Sequence, residues 1–275
     1  MFEEHAIGSP RVAVSGIEAS QTAEYLRSFF AGRVAWARLN GLLIISGPFG
    51  VFRRDLVRAA GGLSKQTLGE DMELVMRLHH RLRPGLPRTR IAYAADAVAW
   101  TEIPVGLAPL RGQRIRWHVG LLDNLRIHRR MICRRRFGAI GILALPYTVV
   151  FEVFGPPLQL VGYAAVIALL FADQISWWYA AAFGLVTVLA GFLPTAGAIL
   201  IEDVGYHRYR NRDVIVLAGW SLLEVLWYRP LTALWRAWAT LLFVIGRRPG
   251  WGTIPRGAAV RSERDEAAVP APLPR

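Results

Sequence analysis

Apolar residues are unevenly spread along this chain: long apolar runs fill residues 140–245, whereas charged and turn-forming residues fill the first half. That asymmetry predicts a polar domain followed by a membrane region. The overall hydrophobic share of 53% and the mean hydropathy of +0.31 exceed those of a soluble domain only modestly. Distribution carries the argument, not the total.

Residues 137–172 would measure ~54 Å as one straight helix at ~1.5 Å per residue, well beyond a ~30 Å hydrocarbon core. Pro146, Glu152, Pro156 and Pro157 interrupt the run. The reading therefore divides it into an interfacial helix ending near Glu152 and a spanning helix over 153–171. Residues 172–176 carry no Lys or Arg and are expected on the outer side. Trp177, Trp178 and Tyr179 then open a second span as an interfacial aromatic belt, and the span ends near Ile201. The basic residues His207, Arg208, Arg210 and Arg212 return the chain to the cytoplasm. Arg229-Pro230 cuts 214–245 into two pieces, each short for a crossing, so a shallow re-entrant pair or interfacial helices fit better than one span. From Gly250 the Pro, Ala and charged residues predict a disordered tail. The chain thus divides into 1–132, 133–249 and 250–275.

The net charge is +13, from 33 Lys and Arg against 20 Asp and Glu. Such a surplus suits either a nucleic-acid surface, which releases counterions from phosphates, or the cytoplasmic loops of a membrane protein. Placement decides between them. Arg129, Arg130, Arg134, Arg135 and Arg136 precede one apolar run, and the 207–212 cluster follows another. No zinc spacing or aromatic RNA-binding signature is present, so no nucleic-acid partner is expected. The one cysteine, Cys133, rules out a disulfide framework and a cysteine metal cluster, and reads as juxtamembrane filler. Met1-Phe2-Glu3-Glu4-His5 lacks the apolar core of a signal peptide, which leaves the first half in the cytoplasm.

Within that half, Tyr25, Leu26, Phe29, Phe30 and Val34 recur at helical spacing and predict an amphipathic helix over 17–36. Leu42 to Ile45 form a short apolar run typical of a buried strand, followed by loop chemistry at Ser46-Gly47-Pro48-Phe49-Gly50. A short helix over 53–60 should end at Gly61-Gly62. Gly69-Glu70-Asp71 opens a helix with Leu74, Val75 and Leu78 on one face. Residues 91–95 suit an edge strand, and 110–130 an amphipathic helix of rising basicity. The alternation predicts an α/β sheet domain, although two or three strands would leave an unpaired edge and half the hydrophobic face open.

Three features could carry chemistry. Glu70 and Asp71 at a helix start complement the helix dipole; alternatively, one carboxylate faces a cleft as a general base for a hydroxyl nucleophile. Gln113, Arg116 and Trp117 share a helix face at i, i+3 and i+4. That face is either an ordinary amphipathic surface or a sugar–diphosphate site, with the indole stacked on a sugar ring and the guanidinium forked onto phosphate oxygens. Trp100-Thr101-Glu102 follows an expected strand and says little alone.

In their order, these features resemble the membrane-bound family 2 glycosyltransferases, which include the cellulose, chitin, hyaluronan and poly-N-acetylglucosamine synthases. The resemblance rests on Ser46-Gly47 with Phe52-Arg53-Arg54, Gly69-Glu70-Asp71-Met72-Glu73-Leu74, Thr101-Glu102 and Gln113-x-x-Arg116-Trp117, then a basic stretch and membrane helices. It covers residues 23–251 and is nearest to bacterial members with few membrane helices. It implies the C-terminal half of a GT-A-type nucleotide-sugar transferase domain followed by transmembrane helices, in a bacterial plasma membrane. It also implies inverting transfer from a nucleotide-sugar donor to a saccharide or lipid-linked acceptor. Asp71 would deprotonate the acceptor hydroxyl, Gln113, Arg116 and Trp117 would lie over the acceptor sugar and leaving diphosphate, and Glu70 would shape the site or bind acceptor. Ser46, Gly47 and Glu102 would complete the substrate surface.

The family pattern also places a nucleotide-binding half before these motifs, with an Asp-x-Asp that holds a divalent cation, Mg or Mn. No Asp-x-Asp triplet occurs in this sequence. The expectation is therefore a chain carrying the acceptor-side half, truncated or split from its donor-binding half, with little activity alone. The alternative is a catalytically silent membrane subunit that binds or stabilises a synthase.

Overall fold

A computed structural model describes residues 15–45, 47–82, 90–95, 97 and 103–247. Helix α1 (residues 16–38) begins with a capping box: Ser15 Oγ accepts from the Glu18 amide and donates to the Glu18 carboxylate, which satisfies a helix-start donor and fixes the entry. Its middle, Arg27–Arg33, widens into π-type turns, and it ends at Val34–Arg38. Helix α2 (Arg54–Ala60) stops where Gly61 takes φ 93°, the left-handed cap expected of that glycine. Helix α3 (Glu70–Leu82) has Glu70, Asp71 and Glu73 in its first turn and His79, His80 and Arg81 in its last, a charge order that matches the helix dipole.

Among the described residues there is no strand. Both segments expected to be strands, 42–45 and 91–95, are irregular backbone instead. A strand exists by pairing, and neither segment is paired in a ladder among the described residues. Leu42 and Leu43 are buried all the same. The Leu42 carbonyl lies 3.3 Å from His79 Nε2, so a side chain from α3 takes the place of a ladder partner.

Helix α4 (Leu107–Ile127) is central. The sequence predicts a surface-type amphipathic helix here, but α4 is enclosed on most sides from Leu110 to Leu125. Leu121 and Leu125 join Leu43, Met72, Met76, Met131, Phe137 and Ile140 in one core cluster, while Leu110, Ile115 and Val119 pack with Tyr228, Trp235 and Ala239 in another. An element wedged between two layers needs apolar residues on two faces, and that erases the one-sided stripe.

Two helices are long and apolar enough to cross a membrane: α5 (Ile140–Phe171) and α6 (Trp177–Tyr206). The break expected near Glu152 is absent. Helix α5 runs on through wide π-type turns at Ile140–Ala144 and Thr148–Phe154, which absorb the amide and ring constraints of Pro146, Pro156 and Pro157 without ending the helix. Helix α6 extends past Ile201 to Tyr206. Helices α7 (Asn211–Leu223) and α8 (Tyr228–Val244) meet at a 58° bend close to Arg229-Pro230, as a broken span or re-entrant pair.

Ionic groups tie these helices together. Glu224, fully buried, accepts from Arg27 of α1 at 2.7 Å and from Arg229 of α8 at 2.6 Å. Arg229 also donates to the Gly191 carbonyl of α6 at 2.7 Å. Arg236 donates to Glu152 of α5 at 2.5 Å. Removing one partner from such a set leaves an uncompensated buried charge, which costs more than the pair itself contributes. Glu224→Ala should therefore destabilise the protein by about 3 kcal/mol, measured as a lowered unfolding midpoint in detergent. An unchanged midpoint would show that the two guanidiniums are solvated without their carboxylate.

Candidate active site

The site is set by how closely α4 approaches the start of α3. A Cβ built on Gly120 would lie 2.9 Å from the Gly69 amide nitrogen and 3.1 Å from the Leu68 carbonyl carbon. Only glycine permits that contact. One turn further on, Asn124 Nδ2 donates to the Gly69 carbonyl at 2.8 Å, and Thr67 Oγ1 accepts from the Gly69 amide at 3.1 Å. The backbone entering α3 is thus fixed immediately before Glu70 and Asp71.

Gln113, Trp117, Gly120 and Asn124 follow one another at i, i+4, i+7 and i+11 along one face of α4, with Arg116 on its shoulder. The same face therefore holds the Gly69-Glu70-Asp71 turn at one end and presents Gln113 and Trp117 at the other. Gln113 is buried, Arg116 half-buried and Trp117 45% exposed, so the face runs from a sealed amide to an open indole. Gln113 Oε1 is buried without a hydrogen-bond partner, while the Gln113 side chain is hydrogen-bonded to Tyr25. The Tyr25 ring lies 6.4 Å from that of Trp117.

Asp71 is half-buried, and its Oδ1 accepts from the Met72 amide at 2.7 Å. Its Oδ2 lies 3.2 Å from the position a Cβ on Gly47 would take, so Gly47 leaves the carboxylate room. Burial raises the Asp71 pKa above the usual carboxylate value; amide hydrogen bonds from Met72 and from Asp71 itself and the Arg33 charge oppose that rise, and Glu70 adds to it. Arg33 interacts with Asp71, Tyr93 and Tyr25, and burial brings its guanidinium down to about 10. Burial pushes the Tyr25 hydroxyl up to about 12. The result is a desolvated carboxylate facing a cation, joined through Tyr25 to the Gln113–Trp117 face.

Arg114, passed over by motif reasoning, is the anchor of that face. Its Nη1 and Nη2 donate to Glu24 Oε1 and Oε2, each at 2.8 Å, and Nη2 also reaches the Tyr228 hydroxyl at 2.8 Å. Tyr228 in turn donates to Glu24 at 2.6 Å. The Arg114 guanidinium sits 4.9 Å from the centre of the Trp117 ring, a cation–π contact that holds the indole. One turn after Arg114, burial and then Arg236 bring His118 down to about 3, so it is a neutral imidazole beside Thr240 Oγ1 at 2.9 Å.

Of the residues singled out from sequence, Gly47, Glu70, Asp71, Gln113, Arg116 and Trp117 lie on these two helix regions and the loop beside them. Ser46 and Glu102, with Trp100 and Thr101, fall outside the described residues. Arg33, Tyr25, Glu24, Arg114 and Tyr228 carry no motif; the only hint is an arginine embedded between Gln113 and Ile115 in a helix that proves to be buried. Among the described residues, no group of three or more His, Cys, Asp or Glu side chains could hold a metal ion. The described residues therefore do not fit the divalent cation that the resemblance implies.

A family model described as glycosyl transferase family group 2 matches residues 2–194. The chain belongs to this family. No curated protein and no solved structure matches it. Membership supports glycosyl transfer between an activated donor and an acceptor.

The close approach at Gly120 gives a direct test. Gly120→Val would push α4 off the Gly69 turn and should cost about 1–3 kcal/mol from overpacking. The check is a lowered unfolding midpoint accompanied by altered Trp117 fluorescence; an unchanged midpoint and spectrum would mean the contact is not tight.

Proposed function

We propose that this chain provides the acceptor-side catalytic half of an inverting glycosyltransferase. It would move a sugar from a nucleotide-sugar donor to a saccharide or lipid-linked acceptor at the cytoplasmic face of the membrane. The observation that carries this reading is the Asp71 carboxylate: desolvated, cleared by Gly47, facing Arg33, and fixed at a helix start by the same helix face that presents Gln113 and Trp117. The fold this reading expects is a partial GT-A-type domain over 1–132 joined to membrane helices over 133–249.

In this mechanism Asp71 accepts the proton of the acceptor hydroxyl. The oxygen forms a bond to the anomeric carbon as the bond to the nucleoside diphosphate breaks on the opposite side, so configuration inverts. A carboxylate with a raised pKa is a stronger base toward a hydroxyl than an ordinary aspartate, and partial burial keeps water from competing. Trp117 stacks on the acceptor ring. The partnerless Gln113 Oε1 accepts from a sugar hydroxyl, which relieves a buried acceptor that otherwise costs about 1–3 kcal/mol. Arg116 supplies fixed positive charge where the departing diphosphate becomes more negative, and Glu70, Ser46, Gly47 and Glu102 shape the substrate surface.

Because no Asp-x-Asp triplet lies among the 275 residues, the groups that hold the donor diphosphate are assigned to additional polypeptide. These residues alone should turn over nucleotide sugars slowly. Released nucleoside diphosphate, assayed across a donor panel with and without a complementing donor-binding segment, tests this; full activity from these residues alone would refute it. In the complemented enzyme, Asp71→Asn should reduce kcat by roughly 10²–10⁴. A silent synthase-binding subunit would lose nothing from that substitution.

The pH dependence has a definite sign. Asp71 works as a base only when ionised, and its pKa is raised. Activity should therefore fall with acidification at a pH above that of an ordinary aspartate, ~3.9. The nearby Arg33 charge holds this pKa down, so Arg33→Met should move the acidic limb of the kcat/KM profile to higher pH. A limb that stays in place would uncouple the two groups.

A further inference from the structure

A cavity of about 200 Å³ lies among α1, α5 and α8, lined by Glu24, Arg27, Gln159, Arg229, Thr232 and Arg236, together with Tyr228. Neither Asp71 nor Trp117 lines it, while Glu24 and Tyr228 belong both to its wall and to the knot with Arg114. Three arginines converging on one space between membrane-level helices are costly unless something balances them. The carboxylates in reach do not do so fully. Glu224 is shared by Arg27 and Arg229, Glu152 serves Arg236, and Glu24 serves Arg114. Four guanidiniums thus face three carboxylates, and the neighbouring His118 is neutral.

The donors are also incompletely used. Arg27 commits only Nη1, to Glu224 and Thr195. Arg229 commits Nε and Nη2, and so does Arg236. Among the described residues, Arg27 Nη2 and Arg236 Nη1 make no hydrogen bond, Arg229 Nη1 lies close to Gly191 of α6, and the three side chains keep 25%, 26% and 27% of their surface open. Free guanidinium edges around one residual positive charge match a tetrahedral oxyanion, whose oxygens each accept several hydrogen bonds.

Depth identifies the source. Gly191 and Thr195, which bond to Arg229 and Arg27, lie roughly 21 and 27 Å along α6 from Trp177 at ~1.5 Å per residue. With the Trp177–Tyr179 belt at one interface, this is the far third of a ~30 Å core, roughly 3–9 Å short of its opposite boundary, from which long arginine side chains extend toward the head groups. Basic pockets between helices at that level suit anionic head groups.

We propose that this cavity binds the phosphate of an anionic membrane lipid, with Arg27, Arg229 and Arg236 as its donors. The lipid phosphate ties α1, α5 and α8 together at the membrane boundary. The site concerns the membrane region and stands apart from the transferase reaction.

The test uses the full chain in detergent micelles, with bound lipid read by native mass spectrometry. Titrants are phosphatidylglycerol, phosphatidylcholine and inorganic phosphate. Phosphatidylglycerol should bind, and phosphatidylcholine, whose phosphate is balanced by its own cation, should bind at least about tenfold more weakly. Arg27→Gln removes a donor, and Thr232→Phe fills the space while leaving every ion pair in place. Each should weaken phosphatidylglycerol binding about tenfold or more, whereas Arg58→Gln on exposed α2 should not. If Thr232→Phe fails to fold, Gln159→Phe fills the same cavity from α5. Retained binding in the filled variants overturns the site, and equal binding of both lipids overturns the charge argument. Displacement of phosphatidylglycerol by inorganic phosphate at matching concentration overturns the assignment to a lipid. Binding is read without turnover, so any of these results leaves the role of Asp71 untouched.

Discussion

The arrangement depends on one buried ionic knot: the Arg114 fork on Glu24, closed by the Tyr228 hydroxyl. It joins three helices that lie far apart in sequence, α1, α4 and α8. Arg114 and Glu24 both lose solvation here, so the knot adds little net stability over a well-packed apolar contact. What it provides is orientation. A planar fork with two parallel hydrogen bonds allows α4 little rotation about its axis. Because Arg114 is set there, Gln113 and Trp117 can point only along the face that also meets the Gly69 turn. A lysine would keep the charge and lose that angular control.

Helix α8 extends the same logic into the membrane region. Its successive polar residues each reach a different neighbour: Tyr228 goes to α1 and α4, Arg229 to Glu224 and α6, and Arg236 to α5 and His118. Helices of membrane length gain little from apolar contact with one another, since lipid is equally apolar, and polar pairs then specify which helices meet. Helix α8 therefore acts as a strut between the two membrane-length helices and α4, which bears Gln113 and Trp117. The bend between α7 and α8 brings Glu224 and Arg229 together across a short turn.

Much of the local structure was legible because it is encoded locally. The Gly61 cap, the acidic start of α3 and the Trp177 opening of α6 each depend on residues within a turn or two. Residues 42–45 were misread because their apolar run is compatible with a strand, yet a strand is a property of two segments, and the sequence of one does not contain its partner. Pro146 and Pro156-Pro157 suggested a break because proline removes a helix hydrogen bond; the wide turns that absorb this are a backbone response that no side chain announces. In the site, Glu70, Asp71, Gln113, Arg116 and Trp117 could be named from spacing and family pattern. Arg33, Tyr25 and Glu24 could not, because all three come from α1, remote in sequence from the groups they contact.

Trp117 and the arginine-lined cavity share a wall. Arg114 lies against the indole on one side and is held by Tyr228 on the other, and Tyr228 and Glu24 line the cavity. A cation–π contact constrains an indole only as firmly as the cation itself is held. The setting of the exposed indole therefore depends on Glu24 and Tyr228 keeping their positions, and these two side chains also feel whatever charge occupies the cavity. The exposed indole and the arginine-lined cavity are thus coupled through one ion-paired element.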